Sequence, residues 1–318
     1  MGVKLTVKDR RILFELDSNS RQTVSQIAKK AGLSRDIVNY RLNQLVKRGV
    51  IGGFYAVIDI SKLGYLFCRI FLRFQKIDPR KEEEIIQYCK QTPSIGWLYT
   101  IDNRWNLVFA VYVKTIQELE DVYDSLTYKY GDYLAEKSVS IATKIHHFRH
   151  NYLFGTNDFS EKVLGGTGTV TVDKTDLHLL KVLSNNARLP MIEVAKKVDL
   201  TPNAAKYRMK RLIKNNVILG FRAKLNTKML GYEHYKVFLF LENTTKKLMA
   251  KLTTFLRFHP QVIYITKAIG TSDLEFEAML HNRNELHELM RELRSKFSDI
   301  LKDYETMLLF EEVMIGYY

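Results

Sequence analysis

Cysteine is nearly absent from this 318-residue chain: Cys68 and Cys89 are the only two. Their number and spacing suit neither a metal site nor a disulfide framework, and they read as reduced thiols of a cytosolic protein. Nowhere do eighteen uncharged apolar residues run together, and the N-terminus scatters Lys and Arg among its apolar residues. Secretion and membrane spanning are therefore not expected. Acid is also in short supply, with 35 Asp and Glu against 49 Lys and Arg. The deficit is local: residues 1–50 hold eleven basic side chains against four acidic, and residues 168–217 hold ten against four. Residues 51–167 balance at fourteen each, and residues 218–318 stand at fourteen against thirteen. Two compact basic segments separated by neutral ones point to surfaces that meet a polyanion.

The two basic segments are copies of one another. Val50-Ile51-Gly52-Gly53-Phe54 returns as Val217-Ile218-Leu219-Gly220-Phe221, Ala28-Lys29-Lys30 as Ala195-Lys196-Lys197, and Leu63-Gly64-Tyr65 as Leu230-Gly231-Tyr232, all offset by 167 without a gap. The same register pairs Pro93 with Pro260 and Leu107 with Leu274, so the duplicated unit is a whole module rather than a solenoid repeat.

In the first copy Ile12, Leu13 and Leu16 form a helical stripe behind Thr6 and Asp9, the spacing of a capping box that Asp173 and Asp176 repeat. A second helix over about Thr23–Ala31, burying Val24, Ile27 and Ala28, ends at a turn held by Gly32, with Asp199 as its counterpart. Ser34 and Thr201 then cap a third helix, Pro202 taking the first helical position. Val38, Leu42 and Leu45, matched by Ala205, Met209 and Leu212, give it an inward face. Its outward face carries Arg35, Asn39, Tyr40, Asn43 and Lys47 in copy one, and Asn203, Lys206, Tyr207, Lys210 and Lys214 in copy two. Such side chains read base edges or hold phosphates when a helix-turn-helix lays this face in the major groove. Ser34 and Thr201 complete the expected DNA-binding set.

The run Asp9 to Leu16, Asn19-Ser20-Arg21, Ile27-Ala28, Gly32-Leu33-Ser34, Val38, Arg41-Leu42, Leu45, Gly49-Val50-Ile51 and Gly53-Phe54 resembles the DNA-binding signature of the Lrp/AsnC family of transcription regulators. Copy two resembles it through Asn186-Ala187-Arg188, Val194-Ala195, Leu200-Thr201, Arg208-Met209, Leu212, Val217-Ile218 and Gly220-Phe221, and departs from it at Asp199 and Asn215-Asn216.

Beyond Gly64 the periodicity predicts strand Phe67–Phe74, helix Arg80–Lys90, strands Ile95–Ile101 and Leu107–Val113, helix Ile116–Lys129 and strand Val139–Ile145, repeated over Tyr235–Glu311. This β-α-β-β-α-β order is ferredoxin-like, with both helices on one face of an antiparallel sheet. It is similar to the family's effector-binding and oligomerisation domain. The fold class is thus α+β: two tandem modules, each a winged-type helix-turn-helix followed by a ferredoxin-like domain. The domains are placed at 1–60 and 61–151, then, after a linker at 152–167, at 168–227 and 228–318. Ile70-Phe71-Leu72 and Val237–Leu241 are apolar on both strand faces, so a second sheet of the same kind is the expected cover. The linker ends in Gly165-Gly166-Thr167-Gly168, reads as flexible, and reaches roughly 55 Å when extended. It therefore permits an intramolecular pseudo-dimer, with homo-oligomers as the alternative.

In the family a Gly-x-x-Asp loop between the middle strands marks the effector pocket. Copy two keeps it as Gly270-Thr271-Ser272-Asp273, implying an amino-acid effector, whereas copy one has Asn103 and Asn106 at the two positions. Hairpin-turn chemistry alone is the other reading of these loops. His146, His147 and His150 cluster, but adjacent strand residues face opposite ways and no metal is expected. Trp97 and Trp105 read as core or interface aromatics. No catalytic residue and no cofactor is expected; the partners are double-stranded DNA and a small effector, with no membrane, in the cytoplasm. The rival is an enzyme, since siroheme decarboxylases also pair Lrp/AsnC-like modules. Those enzymes carry His and Arg before the third sheet strand, where Ser94–Tyr99 and Gln261–Thr266 have neither.

Overall fold

The computed structural model describes residues 3–315; the module limits placed at Met1 and Tyr318 lie outside them. In chain order the elements are α1 (Val7–Ser18), α2 (Val24–Ala31), α3 (Arg35–Lys47), β1 (Ile51–Ile58), β2 (Leu66–Phe74), α4 (Pro79–Gln91), β3 (Ile95–Asp102), β4 (Leu107–Val113), α5 (Ile116–Tyr130) and β5 (Leu134–His147). Then come α6 (Asn151–Phe154), β6 (Lys162–Leu164), α7 (Lys174–Asn185), α8 (Met191–Lys197), α9 (Pro202–Lys214), β7 (Ile218–Leu225), β8 (Glu233–Leu241), α10 (Lys246–Arg257), β9 (Val262–Ile269), β10 (Leu274–Leu280), α11 (Arg283–Phe297) and β11 (Leu301–Ile315). These elements sort by kind rather than by copy. One compact unit gathers both helix-turn-helix segments with Phe148–Lys162; the other gathers both ferredoxin-like segments with Val163–Thr169.

In the first unit, Ile12, Leu13, Leu16, Ile27, Val38, Leu42 and Leu45 share a core with Ala223 and Leu230 of the second copy. Val24 and Met209 are only half-buried, Val24 because it opens a two-turn helix whose first turn lies at the core's margin. The strand after each third helix pairs with its counterpart: β1 and β7 run antiparallel, Phe54 opposite Ala223 and Ala56 opposite Phe221. The join between copies, expected to be flexible, is partly ordered. Leu153 of α6 is buried in this same core with Tyr152 and Phe154 packed beside it, and Arg149 Nη1 donates to Asp158 at 2.7 Å. Three consecutive apolar residues give the segment an anchor that its Gly-rich end conceals.

In the second unit each copy forms a four-stranded antiparallel sheet, β5-β2-β4-β3 in one and β11-β8-β10-β9 in the other. Pairings of β11 with β3, and of β5 with β9, join the two sheets into a closed ring of eight strands. Both long strands change sheets through a register irregularity at equivalent places, Thr143 and Phe310. Closure gives each of the eight strands a neighbour on both sides, and β6 adds to β5 outside the ring. Cys68, Ile70 and Leu72 pack on the helix side of the first sheet. Phe71, Tyr99, Ile101, Trp105 and Val108 meet Phe238, Met307 and Leu309 of the other copy inside the ring. Each copy is the cover that the other's apolar face requires.

The ring also encloses charge. Lys236 Nζ lies 2.8 Å from both Glu275 Oε2 and Glu277 Oε1, and His234 Nε2 lies 2.8 Å from Glu277 Oε2. Burial alone would raise the Glu277 carboxyl, but the Lys236 charge and the His234 hydrogen bond hold it well below the usual carboxylate range. A folded value below the unfolded one means that its contribution is complete above about pH 4.3 and lost as pH falls through the folded value. Glu277→Gln is expected to lower unfolding stability at pH 7 by about 1–3 kcal/mol. It is also expected to make the loss of stability on acidification shallower, as urea titrations across a pH series would read.

Candidate nucleic-acid interface

The interface begins with helix caps. Thr6 Oγ1 accepts from Asp9 N–H at 3.2 Å while Asp9 Oδ2 accepts from Thr6 N–H at 2.9 Å, and Asp173 and Asp176 reproduce this reciprocal box on α7. Arg41 of α3 donates to Thr6 Oγ1 and Asp9 Oδ1 at 2.9 and 3.0 Å; Arg208 of α9 donates to Asp173 and Asp176 at 2.6 and 2.9 Å. These two arginines fix each third helix against its first. The turn between second and third helices needs a left-handed residue in both copies: Gly32 has φ +65° and Asp199 φ +52°. Ser34 and Thr201 cap α3 and α9, accepting from Ile37 N–H at 3.3 Å and Ala204 N–H at 3.2 Å.

With Val38, Leu42 and Leu45 buried, α3 presents Arg35, Asn39, Tyr40, Asn43 and Lys47 to solvent. Burial of Ala205 and Leu212 likewise leaves Asn203, Lys206, Tyr207, Lys210 and Lys214 exposed on α9. Tyr40 and Tyr207, equivalent in the two copies, are 65% and 69% exposed.

The two helix-turn-helix units are fastened by a pair of equivalent arginines whose role the sequence reading did not assign. Arg21 donates to the carbonyls of Ala187 and Leu189, the first at 2.5 Å; Arg188 donates to those of Ser20 and Gln22, the second at 3.0 Å. Ser20 N–H bonds Phe221 O at 2.9 Å and Ala187 N–H bonds Phe54 O at 2.8 Å, and each guanidinium lies over the phenylalanine of the other copy. Every member of one set is the other's counterpart at an offset of 167. Within this unit the clasp and the β1–β7 ladder hold both outward faces in one body.

The loop expected to bind an effector lies in the second unit. Gly270 has φ +122°, and a Cβ there would come 2.5 Å from Val139 O of the other copy. Asp273 Oδ2 accepts from Leu241 N–H at 2.7 Å; Asn106 Oδ1 accepts from Phe74 N–H at 2.7 Å, the same bond at the equivalent place. Thr271 Oγ1 lies 3.4 Å from Ser138 Oγ, and Ser272 Oγ 3.4 Å from Glu275 Oε1. Asn106 therefore keeps the structural half of the aspartate's role without its charge. His147 stacks edge-on against Tyr264, while His150 Nδ1 lies 2.9 Å from Asp17. Among the described residues no cluster of His, Cys, Asp or Glu is placed to hold a metal ion, and no helix is long and apolar enough to cross a membrane.

A winged helix-turn-helix DNA-binding model matches this chain twice, at residues 5–51 and 172–218. The regulator Ptr1 of Methanocaldococcus jannaschii is 30% identical over 129 residues, covering 41% of this chain and 78% of that protein. LrpA of Mycobacterium tuberculosis is 29% identical over 114 residues, covering 36% of this chain and 75% of its own. Along the whole chain the fold is similar to that of the siroheme decarboxylase NirDL, with a TM-score of 0.65 at 15% identity, covering 98% of this chain and 93% of the other. These features define a DNA-binding protein with two helix-turn-helix domains. The chain belongs to the Lrp/AsnC family of transcription regulators, as a tandem duplicate of its module.

One expectation is corrected. The sequence pointed to no enzymatic role, but a siroheme decarboxylase uses this same two-module fold over nearly its full length, so the architecture is one that supports catalysis.

Replacing Arg35, Lys47, Lys206 and Lys210 together by Ala should leave the fold intact, since all four are exposed. The slope of log affinity for DNA against log salt should fall by roughly 3–4 units if each side chain neutralises one phosphate. An unchanged slope in the folded variant would remove these faces from the DNA contact.

Proposed function

We propose that this chain is a sequence-specific, double-stranded DNA-binding transcription regulator that reads two unlike half-sites with one polypeptide. The observation that carries the reading is the fastening of two different exposed helix faces into one body by Arg21 and Arg188. Phosphates would be held by Arg35, Lys47, Lys206, Lys210 and Lys214, and bases read by Asn39, Tyr40, Asn43, Asn203 and Tyr207, with Ser34 and Thr201 at the helix starts. Residues 1–60 and 168–227 serve as DNA-binding domains; 61–151 and 228–318 serve sensing and assembly, joined through 152–167. The site of action is the cytoplasm.

A homodimer with identical recognition helices selects palindromes. Here Arg35 is matched by Pro202, Asn39 by Lys206 and Asn43 by Lys210. Selection from a random DNA pool should return two unlike half-sites, with Asn39→Ala relaxing preference in one of them. A consensus made only of perfect inverted repeats would contradict the reading.

Gly270, Thr271, Ser272 and Asp273 are proposed to bind an amino-acid effector, Asp273 offering a carboxylate to its ammonium group. Asn106 makes the same backbone hydrogen bond as Asp273, so Asp273→Asn should keep thermal stability while abolishing amino-acid binding. Calorimetry that found binding insensitive to this change would place the effector elsewhere.

The whole-chain similarity to NirDL favours a second reading, a decarboxylase-like enzyme acting on a tetrapyrrole. Tetrapyrrole absorbance retained by the purified protein would support it.

A further inference from the structure

Two buried ion pairs have one partner from each copy, and neither has an equivalent at the related position. In the first unit Arg222 of β7 donates through Nε and Nη2 to Asp17 Oδ1 of α1 at 3.0 and 2.6 Å, with side chains 3% and 1% exposed. At an offset of 167 the counterpart of Asp17 is Ser184 and that of Arg222 is Tyr55. In the second unit Arg69 of β2 forks onto Glu275 of β10, Nη2 to Oε1 at 2.6 Å, with side chains 3% and 0% exposed. Arg69 corresponds to Lys236, but Glu275 and Glu277 correspond to Val108 and Ala110. Positive charge inside the ring is thus supplied by both copies, and negative charge at these positions only by the second.

The consequences for like pairing follow by symmetry. Two first copies facing each other would bury two Arg69 side chains opposite Val108 and Ala110, with no carboxylate at either position. Two second copies would bury two Arg222 side chains against Ser184. They would also enclose four carboxylates, from Glu275 and Glu277 twice over, with two Lys236. Arg149 and His150 already serve Asp17 from its own copy, so Asp17 would keep partners in a first-copy pair, where Arg69 would keep the Ser140 hydroxyl but no carboxylate; in a second-copy pair Arg222 would lose both Asp17 and Phe148 O. An unpaired cation held in a low-dielectric interior is strongly unfavourable, whereas both pairs are complete when unlike copies meet.

We propose that these pairs are a charge lock that makes the internal surface of each copy a docking surface for the unlike copy and rejects a second copy of itself. The chain is then an obligate internal heterodimer by interface chemistry, not through its linker alone. A regulator locked in this way cannot be diluted into symmetric assemblies, and each body keeps one helix of each kind. The proposal stands whether or not the DNA reading is correct.

The test begins with the full chain carrying a protease site inserted between Gly166 and Gly168, both glycines being kept because their φ of +138° and +86° would strain any other residue. After cleavage, the halves are unfolded and refolded together, and the paired species are weighed by native mass spectrometry. Without discrimination the like, unlike and like pairs would form in roughly a 1:2:1 ratio; with the lock, like pairs should fall below about one in ten. The variant Arg69→Met, Glu275→Gln, Asp17→Asn, Arg222→Met removes both pairs, and well-packed uncharged replacements of buried pairs are commonly tolerated. It should move the mixture toward the statistical ratio. A statistical mixture from the native sequence, or a variant as selective as the native chain, overturns the proposal. If the halves fail to refold, the uncut chain bearing Ala142→Cys and Ala268→Cys, opposed across β5 and β9, decides. The native chain should cross-link within one chain only, and the chain that also bears the four-residue variant should cross-link between chains as well; identical cross-linking of the two overturns the proposal.

Discussion

A four-stranded β-α-β-β-α-β sheet has helices for one face only, and everything else in this protein depends on how the remaining face and edges are closed. Here the closure comes from the other copy. Strand β5 gives its first part to β2 of its own sheet and its last part to β9; β11 does the same with β8 and β3. The ring that results buries Phe71 against Phe238 with ring centroids 5.7 Å apart, an edge-on pair that neither sheet could form alone. Each module has an apolar face that an isolated copy would leave in water, and the duplication supplies its cover within one chain.

The helix-turn-helix unit solves the same problem with polar bonds. Arg21 and Arg188 reach into the opposite copy's backbone, and β1 meets β7 where a single module would leave a strand unpaired. Positions that maintain this two-fold relation are kept in both copies, as with the capping boxes and the paired arginines. On the solvent faces of α3 and α9, Arg35, Asn39 and Asn43 have diverged to Pro202, Lys206 and Lys210 while Tyr40 and Lys47 recur as Tyr207 and Lys214; Asp17 and Arg222, whose buried charges are complementary only across unlike copies, have diverged too.

Much of this was legible in the sequence because local chemistry dictates it. The Thr6/Asp9 spacing, Gly32 and Asp199 at a left-handed turn, and Pro202 at a helix start each announce a backbone feature within four residues. The consecutive apolar runs Ile70-Phe71-Leu72 and Val237–Leu241, apolar on both strand faces, pointed to a second sheet as cover. What stayed hidden depends on distance along the chain. Asp17 and Arg222 are 205 residues apart, and nothing near either one signals a partner. The anchoring of Tyr152, Leu153 and Phe154 was masked by the glycines that follow, and the fold similarity to NirDL belongs to the whole chain rather than to any motif.

The central claim is that one chain sets two different helices on DNA. Asp36 and Asn203 are equivalent exposed residues at the starts of α3 and α9, suited to a tethered DNA-cleaving probe on an introduced cysteine. The native thiols do not compete, because burial pushes Cys68 up to about 11 and Cys89 up to about 12. On a selected DNA site, the probe at Asp36→Cys should cut one half and the probe at Asn203→Cys the other. Equal cutting of both halves by either probe would contradict the account.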